Sequence, residues 1–133
     1  MGSYLRYRCP RCRFDIAIGG PDEFYLGADG ERRPYGHPEP ASEEAARRGV
    51  DGFWMTLWCD GCRAARRVVT VEFEQPCAPL DAWSGRGVAC PGYLVDEESC
   101  PDCASVLLDE IPGATPLCPS CRAGPLVSDK FAD

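Results

Sequence analysis

Eight of the ten cysteines in this 133-residue chain stand in four Cys-x-x-Cys pairs, and no other feature restricts its fold as much. The pairs are Cys9/Cys12, Cys59/Cys62, Cys100/Cys103 and Cys118/Cys121. Two residues between cysteines let a tight turn aim both sulfurs at one point, with backbone N–H groups left to donate to the thiolates. Two such turns complete a tetrahedron, so four pairs predict two four-sulfur sites. One Zn²⁺ in each is expected, with iron the lesser alternative. Units much below about 70 residues seldom bury enough apolar surface to fold unaided, and metal supplies the missing stabilisation. A closed four-thiolate site has no position for water or substrate, so it scaffolds and does not catalyse.

Dense cysteines mean disulfides or metal. The N-terminal stretch MGSYLRYRCPRCRF has no apolar run of signal-peptide length, and no segment approaches the roughly 20 apolar residues of a membrane helix. The expectation is a cytoplasmic chain without membrane association, whose thiols stay reduced and bind metal. Cys77 and Cys90 stand outside the pairs and read as plain buried thiols, with a disulfide or third-site role as the alternative. His37, the only histidine, lies in a polar loop and reads as solvated.

The segments around the first two pairs have strand character. Tyr4–Arg8 leads into the first turn and Phe14–Ile18 leaves it; Phe53–Trp58 leads into the second. In Arg67–Glu74, which leaves the second turn, Val69, Val71 and Phe73 alternate with Thr70, Glu72 and Glu74. Residues 19–52 form a long insertion between these turns, rich in turn chemistry (GGPDEF, GADGERRPYGHPEP), and a loop more mobile than its surroundings is expected there. One short helix is predicted within it. Ser42 caps it, Glu43 and Glu44 fill its first turn, Arg47 and Arg48 its last, and Gly49 ends it. Residues 76–92 read as a Pro/Gly/Ala-rich linker. A second unit follows over 93–133, with strands at Tyr93–Val95 and Ser105–Glu110.

The simplest wiring is sequential: Cys9, Cys12, Cys59 and Cys62 around one metal, and Cys100, Cys103, Cys118 and Cys121 around the other. The rival is a cross-brace joining pairs one and three, and pairs two and four. Loop length discriminates weakly, since each doubling costs only about 0.6 kcal/mol.

On these motifs the chain resembles the zinc ribbon superfamily over residues 4–18 with 53–74, and again over 93–128. The second unit is also similar to the rubredoxin-like module at the C-terminus of rubrerythrins, where a Cys-x-x-Cys pair precedes a Gly-Ala-x-x-Leu-Cys-Pro-x-Cys pattern; here the stretch reads GATPLCPSC. The resemblance implies that Cys100, Cys103, Cys118 and Cys121 share one metal. Ala104 departs from it, standing where a glycine is usual after the first pair. The implied fold class is small, metal-stabilised and mostly β: a first zinc ribbon over 1–75 carrying the insertion with its short helix, the linker 76–92, and a second ribbon over 93–133.

The formal charge is −7, unevenly spread. Residues 76–133 carry 9 acidic and 3 basic side chains, and two four-thiolate zinc sites would bring the total to about −11. This argues against general nucleic-acid binding. The first expectation is therefore a non-catalytic structural or adaptor protein with a protein partner, for which Trp54, Trp58 and Trp83 are candidate interface anchors, although packing against the thin core of the first ribbon is the favoured reading for Trp54 and Trp58. The alternative is a nucleic-acid-binding ribbon. Arg6, Arg8, Arg11, Arg13, Arg63, Arg66 and Arg67 flank the first two turns and would converge if those turns met at one metal. A rubredoxin-like iron electron carrier is the second alternative. The sequence shows no Ser-His-Asp set, phosphate loop or open metal site, so no catalytic residue is assigned.

Overall fold

The alternating apolar and polar residues that predicted strands near the first two cysteine pairs do form strands, and the strands run further than expected. In the computed structural model, which describes residues 2–37, 39–79, 82, 91–95 and 99–132, the elements are β1 (Ser3–Arg8), β2 (Asp15–Leu26), β3 (Arg32–Pro34), α1 (Glu43–Arg48), β4 (Val50–Cys59), β5 (Ala64–Cys77), β6 (Gly92–Leu94) and β7 (Val127–Ala132). The strands lie in the order β6-β5-β4-β2-β1-β7, with β3 also on β2. The described part is thus mostly antiparallel β with one short helix. Two compact units are interleaved along the chain. One comprises Met1–Gly20, Met55–Val68 and Glu97–Asp133, the other Pro21–Trp54 and Val69–Asp96. The division therefore runs through β2, β4 and β5.

In the first unit β1 is the central strand, pairing with β2 on one side (Leu5 opposite Ile18) and with β7 on the other (Leu5 opposite Lys130). Sequence reading found no strand at β7. Tyr4 and Phe131 stack across the pair with ring centroids 5.1 Å apart, and Arg8 bonds Asp129 at 2.8 Å. The predicted strand Ser105–Glu110 is reduced to isolated bridges, Val106 with Ser99 and Leu108 with Trp58. Trp58 and Leu108 exchange both backbone hydrogen bonds at 2.8 Å. Trp58 is fully buried and packs with Tyr7, Ile18, Ile111 and Leu126, so it is a core residue and not an exposed anchor. The tyrosine hydroxyl of Tyr7 accepts the buried Ile111 N–H at 3.2 Å.

The second unit corrects the expectation of an open loop over 19–52. Tyr25, Tyr35, Ala45, Val50 and Phe53 form one buried cluster, and Phe24, Trp54 and Val69 another. Trp54 is therefore also core; Trp83 lies outside the described residues. The misleading signal was Gly19-Gly20-Pro21, which looks like a turn but lies within β2. Gly19 has φ of 137°, and a Cβ there would sit 2.1 Å from the Ser3 carbonyl oxygen, so β1 approaches too closely for any side chain. Pro21 falls after the β1 ladder ends at Gly20 and before the β3 ladder begins at Phe24, where a missing N–H disturbs neither pairing. Asp51 is buried, and its carboxylate accepts the Leu26 N–H at 2.6 Å.

The helix is as predicted. Ser42 Oγ accepts from the Ala45 N–H at 3.1 Å, Glu44 and Arg48 pair at 3.6 Å, and Gly49, with φ of 80°, closes the helix by donating to the Ala45 carbonyl. Replacing Ser42 with Ala is expected to cost about 1 kcal/mol of stability, measured by chemical denaturation. A loss below about 0.3 kcal/mol would show that the cap is dispensable. Strand β6, expected to open a second ribbon, instead pairs antiparallel with β5 (Phe73 opposite Gly92) and belongs to this unit. The expected linker 76–92 lies largely outside the described residues.

Candidate metal centres

All eight paired cysteines come together in two groups of four, but neither wiring expected from the sequence occurs. Cys9, Cys12, Cys118 and Cys121 form one cluster, and Cys59, Cys62, Cys100 and Cys103 the other, with the four sulfurs of each within 4.8 Å of one another. The wiring is nested: the first pair meets the fourth and the second meets the third. Pairing of β1 with β7 explains the outer cluster, since Arg8, just before Cys9, lies opposite Val127, shortly after Cys121. The Trp58–Leu108 bridge explains the inner one, drawing the turn after β4 to the turn at 100–103. The ligand set implied by the rubrerythrin resemblance is therefore split between two clusters.

The donor geometry suits a metal. Across the outer cluster Cys9–Cys121 and Cys12–Cys118 sulfurs are each 3.6 Å apart; in the inner one Cys59–Cys103 is 3.3 Å and Cys62–Cys100 is 3.9 Å. Tetrahedral zinc with bonds of about 2.3 Å requires sulfurs about 3.8 Å apart. Backbone N–H groups donate to the sulfurs within the turns: Arg11 to Cys9 and Phe14 to Cys12 at 3.4 Å, Cys62 to Cys59 at 3.3 Å, and Ser120 to Cys118 at 3.4 Å. These are the outer-shell bonds that steady thiolate ligands.

The thiols within each cluster are pushed apart in acidity. In the inner cluster the Ser105 hydroxyl and N–H draw Cys103 down to about 6. Cys59 is driven up to about 12, because burial and its sulfur neighbours outweigh the favourable Cys62 N–H. In the outer cluster burial opposes ionisation of Cys118, but the Cys121 and Ser120 N–H groups bring it to about 6. Cys12 rises to about 11, because burial and neighbouring sulfurs outweigh the Phe14 N–H. Four thiolates cannot share so small a volume without a cation. Metal uptake must therefore displace protons from the high members of each set, and binding weakens as pH falls.

Three turns carry a residue other than glycine in the left-handed region just after their second cysteine: Arg63 (φ 55°), Ala104 (φ 63°) and Arg122 (φ 57°). Ala104, noted in the sequence as a departure from the usual glycine, thus sits where glycine is favoured. Replacing Ala104 with Gly is expected to raise stability by about 0.5–1 kcal/mol, read as a shift of the denaturation midpoint at unchanged slope. A destabilised variant would refute the strain. Arg63 is a poorer test, because its guanidinium bonds Asp60 at 2.6 Å and lies 5.6 Å from the Trp58 ring centre.

The seven arginines expected at one tip are divided by the nested wiring. Arg6, Arg8, Arg11 and Arg13 belong to the outer cluster, and Arg63, Arg66 and Arg67 to the inner. At least four are paired with acids: Arg6 with Asp15, Arg8 with Asp129, Arg63 with Asp60 and Arg66 with Asp102. Arg66 also bonds the Cys62 and Cys100 sulfurs, which holds its own acidity still weaker than usual. Arg11 lies over Gly124, where a Cβ would come within 3.1 Å of its side chain.

His37 and Cys77 lie outside both clusters. His37 has Nδ1 at 3.6 Å from the buried Glu23 carboxylate and belongs to neither cluster. Cys77 is buried, as expected, but is one half of a disulfide and not a plain thiol. The other eight described cysteines are free, so its partner is not among the described residues, and Cys90 lies outside them. No helix is long and apolar enough to cross a membrane among the described residues. Comparison with known proteins gives no match to a family model, a curated protein or a solved structure.

Proposed function

We propose that this chain is a non-catalytic zinc protein whose two four-cysteine sites hold a β-sheet scaffold that docks a partner protein. The observation that carries the reading is the donor set. Each cluster has four sulfurs from the chain itself and so offers a metal a complete shell with no position for substrate. Zinc is favoured over iron because it takes four thiolates in a closed structural site without needing a redox partner. The charge of −7 and the pairing of four of the seven candidate arginines with carboxylates favour a protein over a nucleic-acid partner.

Elemental analysis of the purified chain should give two zinc ions per molecule and a colourless solution. A red, iron-containing protein would replace this reading with electron transfer. Fluorescence anisotropy with labelled single- and double-stranded nucleic acids at low salt should show negligible binding. Micromolar affinity that falls steeply with salt, and is lost when Arg11 and Arg63 are both replaced, would make the chain a nucleic-acid binder instead.

A further inference from the structure

A groove of about 590 Å³ in the first unit takes its lining from β4, β2, β1 and β7, four successive strands of the sheet. Leu5, Ile18, Met55 and Leu57 make it apolar, and its volume lies within the roughly 300–1,000 Å³ of ordinary binding pockets. Gly19 and Gly20 also line it, adding no side chain to fill the space. Two charged residues complete the lining, Asp109 and Lys130, the chain's only lysine. Both are exposed, and neither makes an ion pair among the described residues, although eight other ion pairs are formed there.

The two charges reach the groove from different segments of the fold. Asp109 follows Leu108, which pairs with Trp58 beside Leu57 on β4. Lys130 is on β7, three strands away in the order β4-β2-β1-β7. The lining from β4 to β7 thus spans three strand spacings, about 14 Å. A ligand with one charge leaves one of the two unmatched, and a free amino acid cannot span the lining. An extended peptide covers about 14 Å in four residue steps. It can carry a cation at one end, an anion at the other and apolar side chains between.

We propose that this groove binds a short extended segment of a partner protein, with a basic residue on Asp109, an acidic residue four positions away on Lys130, and apolar side chains over Leu5, Met55 and Leu57. This rests on the adaptor reading above and names the chemistry of the partner. A second copy of the chain joined edge to edge through β7 fits less well. A two-fold axis normal to the sheet pairs residues of equal parity, so the registers with most overlap set Asp129 against Asp129 or Lys130 against Lys130.

The test uses the zinc-loaded full chain and three synthetic probes: acetyl-Arg-Val-Leu-Val-Glu-amide, the same peptide with its two end residues exchanged, and a control with Gln at both ends. Titrations followed by amide NMR should shift Leu5, Met55 and Leu57 with one of the charged probes. The control should bind more weakly, and Lys130→Glu or Asp109→Lys alone should weaken the charged probe by up to about fivefold, the range of exposed ion pairs. The chain carrying both substitutions should invert the preference and select the exchanged probe. Three results would overturn the proposal: no shift in the groove, equal binding of the Gln control, or no inversion. A dimer in sedimentation that these substitutions dissociate would also overturn it, by giving the groove to a second copy. A partner captured equally by the native and doubly substituted chains would sink the groove while leaving the adaptor reading intact. Probes that bind as expected, with no partner recovered by the native chain, would do the reverse.

Discussion

Replacing Cys9 and Cys118 together by serine is expected to remove one metal from the chain, whereas replacing Cys9 and Cys59 together should remove both. The first pair of substitutions falls within the outer cluster and the second damages each cluster once. Sequential wiring would give the opposite result, so elemental analysis of the two double variants separates the arrangements. The energetic consequence should be large. Structural zinc contributes on the order of 10–16 kcal/mol in small zinc-dependent peptides, comparable to the whole stability of an ordinary domain. Once Cys9 is lost the outer site is already broken, so adding Cys118→Ser should cost little more, a strongly non-additive pair. Adding Cys59→Ser to Cys9→Ser should instead abolish cooperative unfolding. Retention of one metal by the Cys9/Cys59 double variant would disprove the nested arrangement.

Trp58→Ala should be the most damaging substitution outside the cysteines, at about 3–5 kcal/mol. Its indole is fully buried, packs in one cluster with Cys9, Cys118, Ile18 and Leu126, and donates from Nε1 to Asp60 at 3.2 Å. Removing it opens a cavity beside two sulfurs of the outer cluster. Metal at that cluster should then be lost to a chelator faster than metal at the inner one, although Trp58 is not a ligand. Trp58→Phe should be milder, since Asp60 is exposed and water replaces the lost donor. Urea denaturation and chelator-release kinetics read both effects. A loss below about 1 kcal/mol for Trp58→Ala would mean the core is not organised around this residue.

What could be read from the sequence was what neighbouring residues encode among themselves. The cysteine turns, the strands flanking the first two and the helix from Ser42 to Gly49 are each specified within a few positions by spacing, alternation or capping. Which turns share a metal depends on strand pairing between distant segments, and closure entropy scarcely separates the options. The decisive strand, β7, has only six residues. Its alternation of Val127, Asp129 and Phe131 with Ser128 and Lys130 gains meaning only beside β1, where Phe131 meets Tyr4 and Asp129 meets Arg8. The segment 19–52 was misread for a different reason. Gly19, Gly20 and Pro21 carry turn character, but the ladder to β1 runs through Gly19 and Gly20 and the ladder to β3 resumes at Phe24, so the segment continues as a strand.

Nested wiring also imposes an order on synthesis. The inner cluster spans 44 positions from Cys59 to Cys103, and the outer spans 112 from Cys9 to Cys121. A chain growing from its N-terminus presents the four inner sulfurs first, while Cys9 and Cys12 wait without partners until the fourth turn emerges. Closing the inner cluster early joins residues 59 and 103 and so shortens the effective distance the outer closure must span. Through that interval β1 lacks its β7 neighbour and leaves an edge open to other nascent chains. A chain truncated after residue 103 would carry a complete inner set of four sulfurs and two N-terminal thiols without partners on one unfinished molecule.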